Sequence, residues 1–375
     1  MAALKVKTKY KDLGLPKYLQ IKHTLKFKIE KGEFFAGHRL PPLKDMAKQF
    51  GVSYVTMHQA IVSLEGEGLV NSIHGKGIFV SEDLSCAPGA KMKRAKIVTR
   101  MWGEEGDYLW KVLHIIEEKL QEDGTEMILM PSHWTSTERI PDDETDCYYF
   151  IAPPAHALPG LQELAASGYR FAVIGASWEG QNDFFCVDSD NYGAARKAVE
   201  FLTASGHTRI GFIRAPFKGN TNSSDRLRGF KDALRDGGIA LRDDWCSEVV
   251  WDSSPTVDER EAFNASIRSM LVSADHPTAL IADGIEMATL VYRTAYANNI
   301  RIPQQSSVIG FDDNRLSLFQ PPITTFCQPL EQMVDMARDY LRSIFMRKEV
   351  RKGNIFLPCT LIERASTAFL SGDIR

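Results

Sequence analysis

The residues that most often carry covalent or acid–base chemistry are present in this chain but are not assembled for it. There is no Gly-x-Ser-x-Gly elbow, no His-Glu-x-x-His pair and no Walker-type phosphate loop. Histidines such as His114, His133 and His207 have no partner at a ligand or base spacing, and read as surface or helix-end residues. The six cysteines are scattered, without a Cys-x-x-Cys pair. That pattern suits free thiols in a reducing compartment, and neither a disulfide frame nor a zinc site. Gly75-Lys76-Gly77 lies between two short apolar runs, so it reads as a hairpin turn and not a phosphate cradle. No catalytic residue, metal or cofactor is implied. The chemistry that remains is non-covalent recognition.

Charge shows where recognition of a polyanion would sit. The formal net charge is only −3, yet residues 1–83 hold 13 Lys/Arg against 8 Asp/Glu, and the rest holds 32 against 40. A basic head on an acidic body is the asymmetry expected when one domain meets phosphates and the other does not. With 375 residues the chain exceeds one ordinary core, so two or three domains are expected. No run of 18 apolar residues predicts a membrane span. The basic start of the chain has no apolar stretch after it, which argues against a signal peptide and for a cytoplasmic location.

The elements of the head follow from periodicity. Tyr18, Ile21, Leu25 and Ile29 form one apolar helical stripe. Leu43, Met46, Ala47 and Phe50 mark a second helix, closed by Gly51. Ser53 can cap a third, running to about Glu67 and expected to bury Val55, Ala60, Ile61 and Leu64. Strands at 68–73 and 78–80, joined at 74–77, complete a winged helix-turn-helix. Residues 82–94 contain Pro88-Gly89 and no apolar period, so they read as a flexible tether; its Lys91, Lys93 and Arg94 either assist DNA binding or are merely solvated.

Arg39-Leu40-Pro41, Met46-Ala47, Phe50-Gly51-Val52-Ser53, Leu64-Glu65, Gly68-Leu69-Val70 and Gly75-Lys76-Gly77 resemble the GntR-type winged helix. Carried over by position, the resemblance implies DNA contacts from Lys44, Ser53, Tyr54, Thr56, His58, His74, Gly75 and Lys76. Hydroxyls and amides at a helix N-terminus suit phosphate oxygens, and Lys44 and Lys76 would neutralise them. Arginines are usual in the family where this chain has Tyr54 and His58, so bidentate guanine reading is lost there. For His58 an unpartnered exposed residue is the alternative, and for Tyr54 packing on the wing.

From Ala95 strands alternate with helices, with strands expected at 96–98, 126–129, 147–151, 171–174, 210–213, 248–251, 279–282 and 307–311. Such alternation predicts parallel sheets with helices on both faces, here divided between two lobes with a ligand cleft between them. The runs Val187-Asp188-Ser189-Asp190-Asn191, Gly206-His207-Thr208-Arg209-Ile210-Gly211, Arg226-x-x-Gly229-Phe230, Gly310-Phe311-Asp312 and Arg364-Ala365-Ser366 are similar to the lactose/galactose-repressor effector domain, a relative of periplasmic sugar-binding proteins. GntR-type heads on such bodies are similar to the arabinose-repressor class. The resemblance implies a DNA-binding domain at 1–82, a linker at 83–94 and an effector domain at 95–368. Lobe 1 is expected at about 95–186 and 328–347, and lobe 2 at about 187–326 and 349–368.

It also implies that Arg226 and Asp312 hold polar groups of the ligand and that Tyr108 contacts it. A guanidinium fork and a carboxylate accepting from paired hydroxyls are what a sugar requires. Trp178, in a loop after a strand, and Trp251, at a strand end, are placed to offer stacking faces, with core packing as the alternative for each. The family's Asn-Asp before Met-Ala is Gly284-Ile285 here, so either Asp283 compensates or the ligand is not a standard neutral sugar. The expected function is a transcription repressor, homodimeric on double-stranded operator DNA, controlled by a carbohydrate-like effector. A metabolite-processing enzyme with a DNA-binding head, or a ligand-independent DNA-binding protein, is the competing reading.

Overall fold

The computed structural model describes residues 16–30, 33–35, 37–66, 68–73, 76–81, 92–99, 108–131, 146–215, 219–247, 249, 256–312, 316–346 and 348–370. The head is built from α1 (Lys17–Glu30), α2 (Leu43–Phe50), α3 (Tyr54–Gly66), β1 (Val70–Ile73) and β2 (Gly77–Val80). Ile21, Leu25 and Ile29 of α1 pack on Met46 and Ala47 of α2 and on Met57, Ala60, Ile61 and Leu64 of α3. One expectation fails within α3. Val55 is 64% exposed and Met57 is fully buried, because the inward stripe runs 57, 60, 61, 64 and leaves 55 on the outer face. β1 and β2 pair antiparallel, and Arg39 bridges to Phe79 at the sheet edge.

The body begins with β3 (Arg94–Thr99), α4 (Tyr108–Asp123), β4 (Glu126–Pro131), β5 (Asp146–Ile151), α5 (Leu158–Ala166), β6 (Phe171–Ile174) and β7 (Phe185–Ser189). The chain then crosses to a second lobe: α6 (Asn191–Ala204), β8 (Ile210–Ile213), α7 (Thr221–Asp236), β9 (Cys246–Ser247), α8 (Val257–Val272), β10 (Ala279–Ala282), α9 (Ile285–Ala297), β11 (Ser307–Phe311) and β12 (Thr324–Cys327). It returns for α10 (Leu330–Phe345) and β13 (Gly353–Leu357), and crosses a third time to β14 (Thr360–Ile362). Strand order is β4-β3-β5-β6-β7-β13 in the first sheet, all parallel, and β9-β8-β10-β11-β12-β14 in the second, parallel except for β14.

Both sheets are covered on two faces, which is why their strands are near-continuous apolar runs. Ile97 and Tyr149 face α4 and α10, whereas Val98 and Phe150 face α5. Phe212 and Ile309 face α6 and α7, whereas Ile213 and Val308 face α8 and α9. Helices α6 and α7 touch closely because residue 229 is glycine: a Cβ there would lie 2.3 Å from the Tyr192 carbonyl oxygen.

The topology corrects the expected lobe limits. Val187–Ser189 extends β7, and Gly353–Leu357 pairs with it in parallel, so both belong to the first lobe. The crossings fall at Asp190, at Gln328-Pro329 and at Pro358-Cys359. Arg94, read as tether, is the first residue of β3 and ion-pairs with buried Asp146 at 2.7 Å. Of the expected strand 248–251, Glu248, Val250 and Trp251 lie outside the described residues, and the observed β9 is Cys246–Ser247. No helix among the described residues is long and apolar enough to cross a membrane.

Candidate functional sites in the head and in the cleft

In the head, Gly51 takes the left-handed conformation, φ +62°, and its amide returns to the Ala47 and Lys48 carbonyls. This is the cheap way to end α2, since glycine has no Cβ to clash there. Two residues on, Ser53 Oγ accepts from the Thr56 amide at 3.2 Å and lies 2.8 Å from Thr56 Oγ1. Both hydroxyls thus sit at the N-terminus of α3, where backbone amides favour phosphate. Tyr54 and His58, four apart, stack their rings along α3 with centroids 6.2 Å apart, and Tyr54 is 49% exposed. Lys44 is exposed on the first turn of α2, and Lys76 is exposed at the start of β2. His74 and Gly75 lie outside the described residues. Arg39 was not among the expected contacts. Its exposed guanidinium lies over Gly77, where a Cβ would stand 2.9 Å from Nε, which adds a cation at the base of the wing.

In the body, parallel strands of both lobes bring their carboxyl ends to the crossings, and the polar residues concentrate there. Arg226 on α7 is buried. Its Nε donates to Asn191 Oδ1 at 2.8 Å, its Nη1 to Asp283 Oδ1 at 2.8 Å, and its Nη2 stands 4.0 Å from Asp312 Oδ1. The guanidinium carbon lies 4.2 Å from the Phe311 ring centroid. Burial pulls the Arg226 pKa down, but Asp283 and Asp312 outweigh it and hold the group above its ordinary value. The cation is therefore fixed in charge and in direction.

Asp283 is where the structure refines the expected site. Oδ1 takes Arg226, and Oδ2 takes the Ala215 amide at 3.1 Å and the Ser223 hydroxyl. With three donors from the protein itself, the buried Asp283 carboxylate holds Arg226 in place. Asp312 keeps 17% of its side chain exposed, has φ +68° and accepts from Gln328, whose Oε1 in turn takes the Ser189 hydroxyl at 2.6 Å. Asn191, Gln328 and Ser189 were missed as site residues. Asn191 lay inside a quoted motif, but its link to Arg226 spans 35 positions and leaves no local signal.

Tyr108 opens α4 with its hydroxyl against Gly175 at the end of β6; a Cβ at 175 would fall 2.0 Å from that oxygen. This puts Tyr108 at the cleft edge of the first sheet. Trp178 does not form part of the cleft wall. It is 8% exposed, donates its indole N–H to the Ala155 carbonyl at 3.0 Å and packs edge-on against Phe184. Packing is its role. Trp251 lies outside the described residues. The lobes also touch directly: the Ala155 amide donates to the Gly219 carbonyl at 2.8 Å.

Comparison with known proteins agrees with this architecture. Residues 17–80 match the profile of bacterial regulatory proteins of the gntR family, and residues 199–367 that of the periplasmic binding protein-like domain. The chain belongs to the transcription regulators that join a gntR-type head to a periplasmic-binding-protein-like body. It is 26% identical over 381 residues to the arabinose metabolism transcriptional repressor of Geobacillus stearothermophilus, covering 95% of this chain and 99% of that protein. It is 26% identical to the HTH-type transcriptional repressor PurR of Proteus mirabilis, covering 87% and 96%. Catabolite control protein A of Priestia megaterium is 28% identical over 52% of this chain and 57% of its own length. The fold is shared with the regulator CelR solved with cellobiose, at TM-score 0.61 and 20% identity, covering 87% of this chain and 100% of that one. It is also shared with a LacI-family regulator from Chloroflexus aggregans, at TM-score 0.62 and 21% identity, covering 73% and 98%.

Proposed function

We propose that this regulator is a cytoplasmic, non-enzymatic repressor that holds operator DNA as a homodimer and changes its grip when a sugar or sugar derivative closes the cleft. The observation that carries the reading is the Arg226 guanidinium, buried in the second lobe at the carboxyl ends of its strands, with two edges fixed by Asn191 and Asp283 and a third directed toward Asp312. Two fixed edges leave Nη2 and the Asp312 carboxylate side by side, a donor and an acceptor suited to adjacent hydroxyls. The Phe311 ring is already covered by Arg226, so it stiffens the fork and offers no stacking face. Tyr108 supplies the cleft edge from the first lobe.

On the DNA side, one winged head buries little surface, and a two-fold dimer supplies the half-site symmetry that specific affinity needs. Lys44, Lys76 and Arg39 neutralise phosphates while Ser53 and Thr56 fix register; Tyr54 and His58 face bases. His74 and Gly75 are further proposed DNA contacts, by their place in the gntR-type motif.

The test is a thermal-shift and calorimetric screen of neutral sugars, sugar acids and amino sugars, followed by operator titrations at fixed salt with each hit. At least one compound should raise the melting temperature and alter DNA affinity, and Arg226→Ala should lose at least tenfold in affinity for it. A ligand that binds the variant as tightly as the wild type would remove Arg226 from the site. Cleft ligands without any effect on DNA affinity would refute regulation.

A further inference from the structure

We propose that α3 reads A·T base pairs, with Val55 set against a thymine 5-methyl group and Gln59 on the adenine of the same or the adjoining pair. The inference rests on the operator-binding reading above and adds the base chemistry that reading leaves open.

Three observations carry it. First, α3 has the sequence YVTMHQAIVSLEG and contains no lysine or arginine. The commonest specific reading of guanine, a bidentate cation on O6 and N7, is therefore not available from this helix. Its one acidic side chain, Glu65, accepts from the Ser72 amide at 2.7 Å and from the Ser72 hydroxyl, and is thereby tied to the wing.

Second, the outer face of α3 carries apolar residues that the head core does not use. Val55 is 64% and Val62 49% exposed, while Met57, Ala60, Ile61 and Leu64 fill the inward stripe. Valine is a weaker helix former than alanine, lysine or glutamine, so local helix stability does not call for it at either place. Third, Val55, exposed Gln59 and Val62 are spaced i, i+4, i+7, so they lie in one row along the outer face. The stacked Tyr54 and His58 rings form the neighbouring row.

An A·T pair presents, in one groove, the N6 donor and N7 acceptor that an amide side chain reads and the methyl that an apolar side chain covers. A guanine–cytosine pair presents neither the methyl nor that donor–acceptor pairing. The row Val55–Gln59 matches the first pattern. The elements next in the chain to α3 carry exposed lysines, Lys44 and Lys48 on α2 and Lys76 immediately before β2, so the occupant is duplex DNA. Affinity would come from those cations and base choice from the uncharged row.

The experiment is selection of binding sites from a random duplex pool with the full-length, ligand-free protein at fixed salt, followed by titrations of the selected duplex. The expected half-site has successive A·T pairs where α3 enters the major groove. Replacing its thymines by uracil should weaken the wild type roughly fourfold per covered methyl, and should leave Val55→Ala indifferent. Gln59→Ala should weaken binding about tenfold and abolish the adenine preference at one position. Both positions are exposed, so the variants keep the fold, which circular dichroism verifies. Enrichment of guanine-centred half-sites, or a wild type insensitive to uracil, would overturn the inference while leaving operator binding intact. A pool with no enriched sequence would overturn the operator-binding reading itself.

Discussion

Asp188 sits near the end of β7 with Oδ1 accepting from the Ser189 amide at 2.7 Å and from Asn191 Nδ2 at 3.4 Å. Its Oδ2 is buried. Burial first, and the nearby Asp225 carboxylate, push its pKa up to about 7, against the pull of the Ser189 amide and Arg226. In the unfolded chain the same carboxyl releases its proton near pH 4. The folded protein therefore binds the extra proton between about pH 4 and 7, and Asp188 makes stability fall as pH rises through that window. Asp188→Asn should flatten this slope and raise the melting temperature at pH 8 relative to pH 5. His207 acts in the opposite sense, since burial lowers its pKa and its contribution is lost as pH falls. The measurement is thus the difference between variant and wild type across pH, and equal slopes would show that Asp188 does not titrate there. Asp283→Ala belongs to the same scale. It leaves Arg226 buried with one firm partner, and a broken buried pair costs about 3–5 kcal/mol. Denaturant unfolding should show it, and Asp283→Asn should recover part of the loss by keeping acceptors for Ser223 and the Ala215 amide.

At the scale of elements, the contact of α6 with α7 is what brings Asn191 to Arg226. Gly229→Val places a side chain on the Tyr192 carbonyl and should separate the two helices, costing more than about 3 kcal/mol and weakening ligand binding together with stability. In the head, Ser53→Ala removes the cap of α3 and should cost about 1 kcal/mol in unfolding, besides loosening operator binding. Elements were also the most legible level of the sequence. The winged helix could be read because each helix has a 3.6-residue stripe and a glycine or hydroxyl at its end. Strands such as Phe171–Ile174 and Ala279–Ala282 stand where their apolar runs place them. What could not be read locally was membership. β13 carries no signal that it pairs with β7, because strand partners are chosen across the fold; the expected second lobe absorbed it for that reason. The site divided in the same way. Arg226 and Asp312 are marked by motifs, but Asp283 was read as a possible ligand acceptor because its three donors come from Arg226, Ser223 and Ala215, far away in sequence. Val55 went wrong through phase alone, one step off the buried stripe.

For the whole molecule, a proposed ligand site between the lobes and a proposed DNA site in the head imply reciprocity. A ligand that lowers operator affinity by some factor must itself bind the operator complex more weakly by the same factor. Calorimetry of the effector with and without saturating operator duplex measures one side, and operator titration with and without saturating effector measures the other. The two factors should agree, and unequal factors would mean that more than one pair of states is involved. Arg94 begins β3 at the amino end of the first sheet, pinned by Asp146, while Arg226 and Asp312 lie in the second lobe where its own strands finish. The chain from the head thus enters the first lobe at the rim away from the cleft, whereas Arg226 and Asp312 stand in the second lobe. In a dimer, closure of the cleft would act on DNA by changing how far apart two such anchors are held, so a monomeric variant should bind its effector normally and yet be deaf to it in DNA binding.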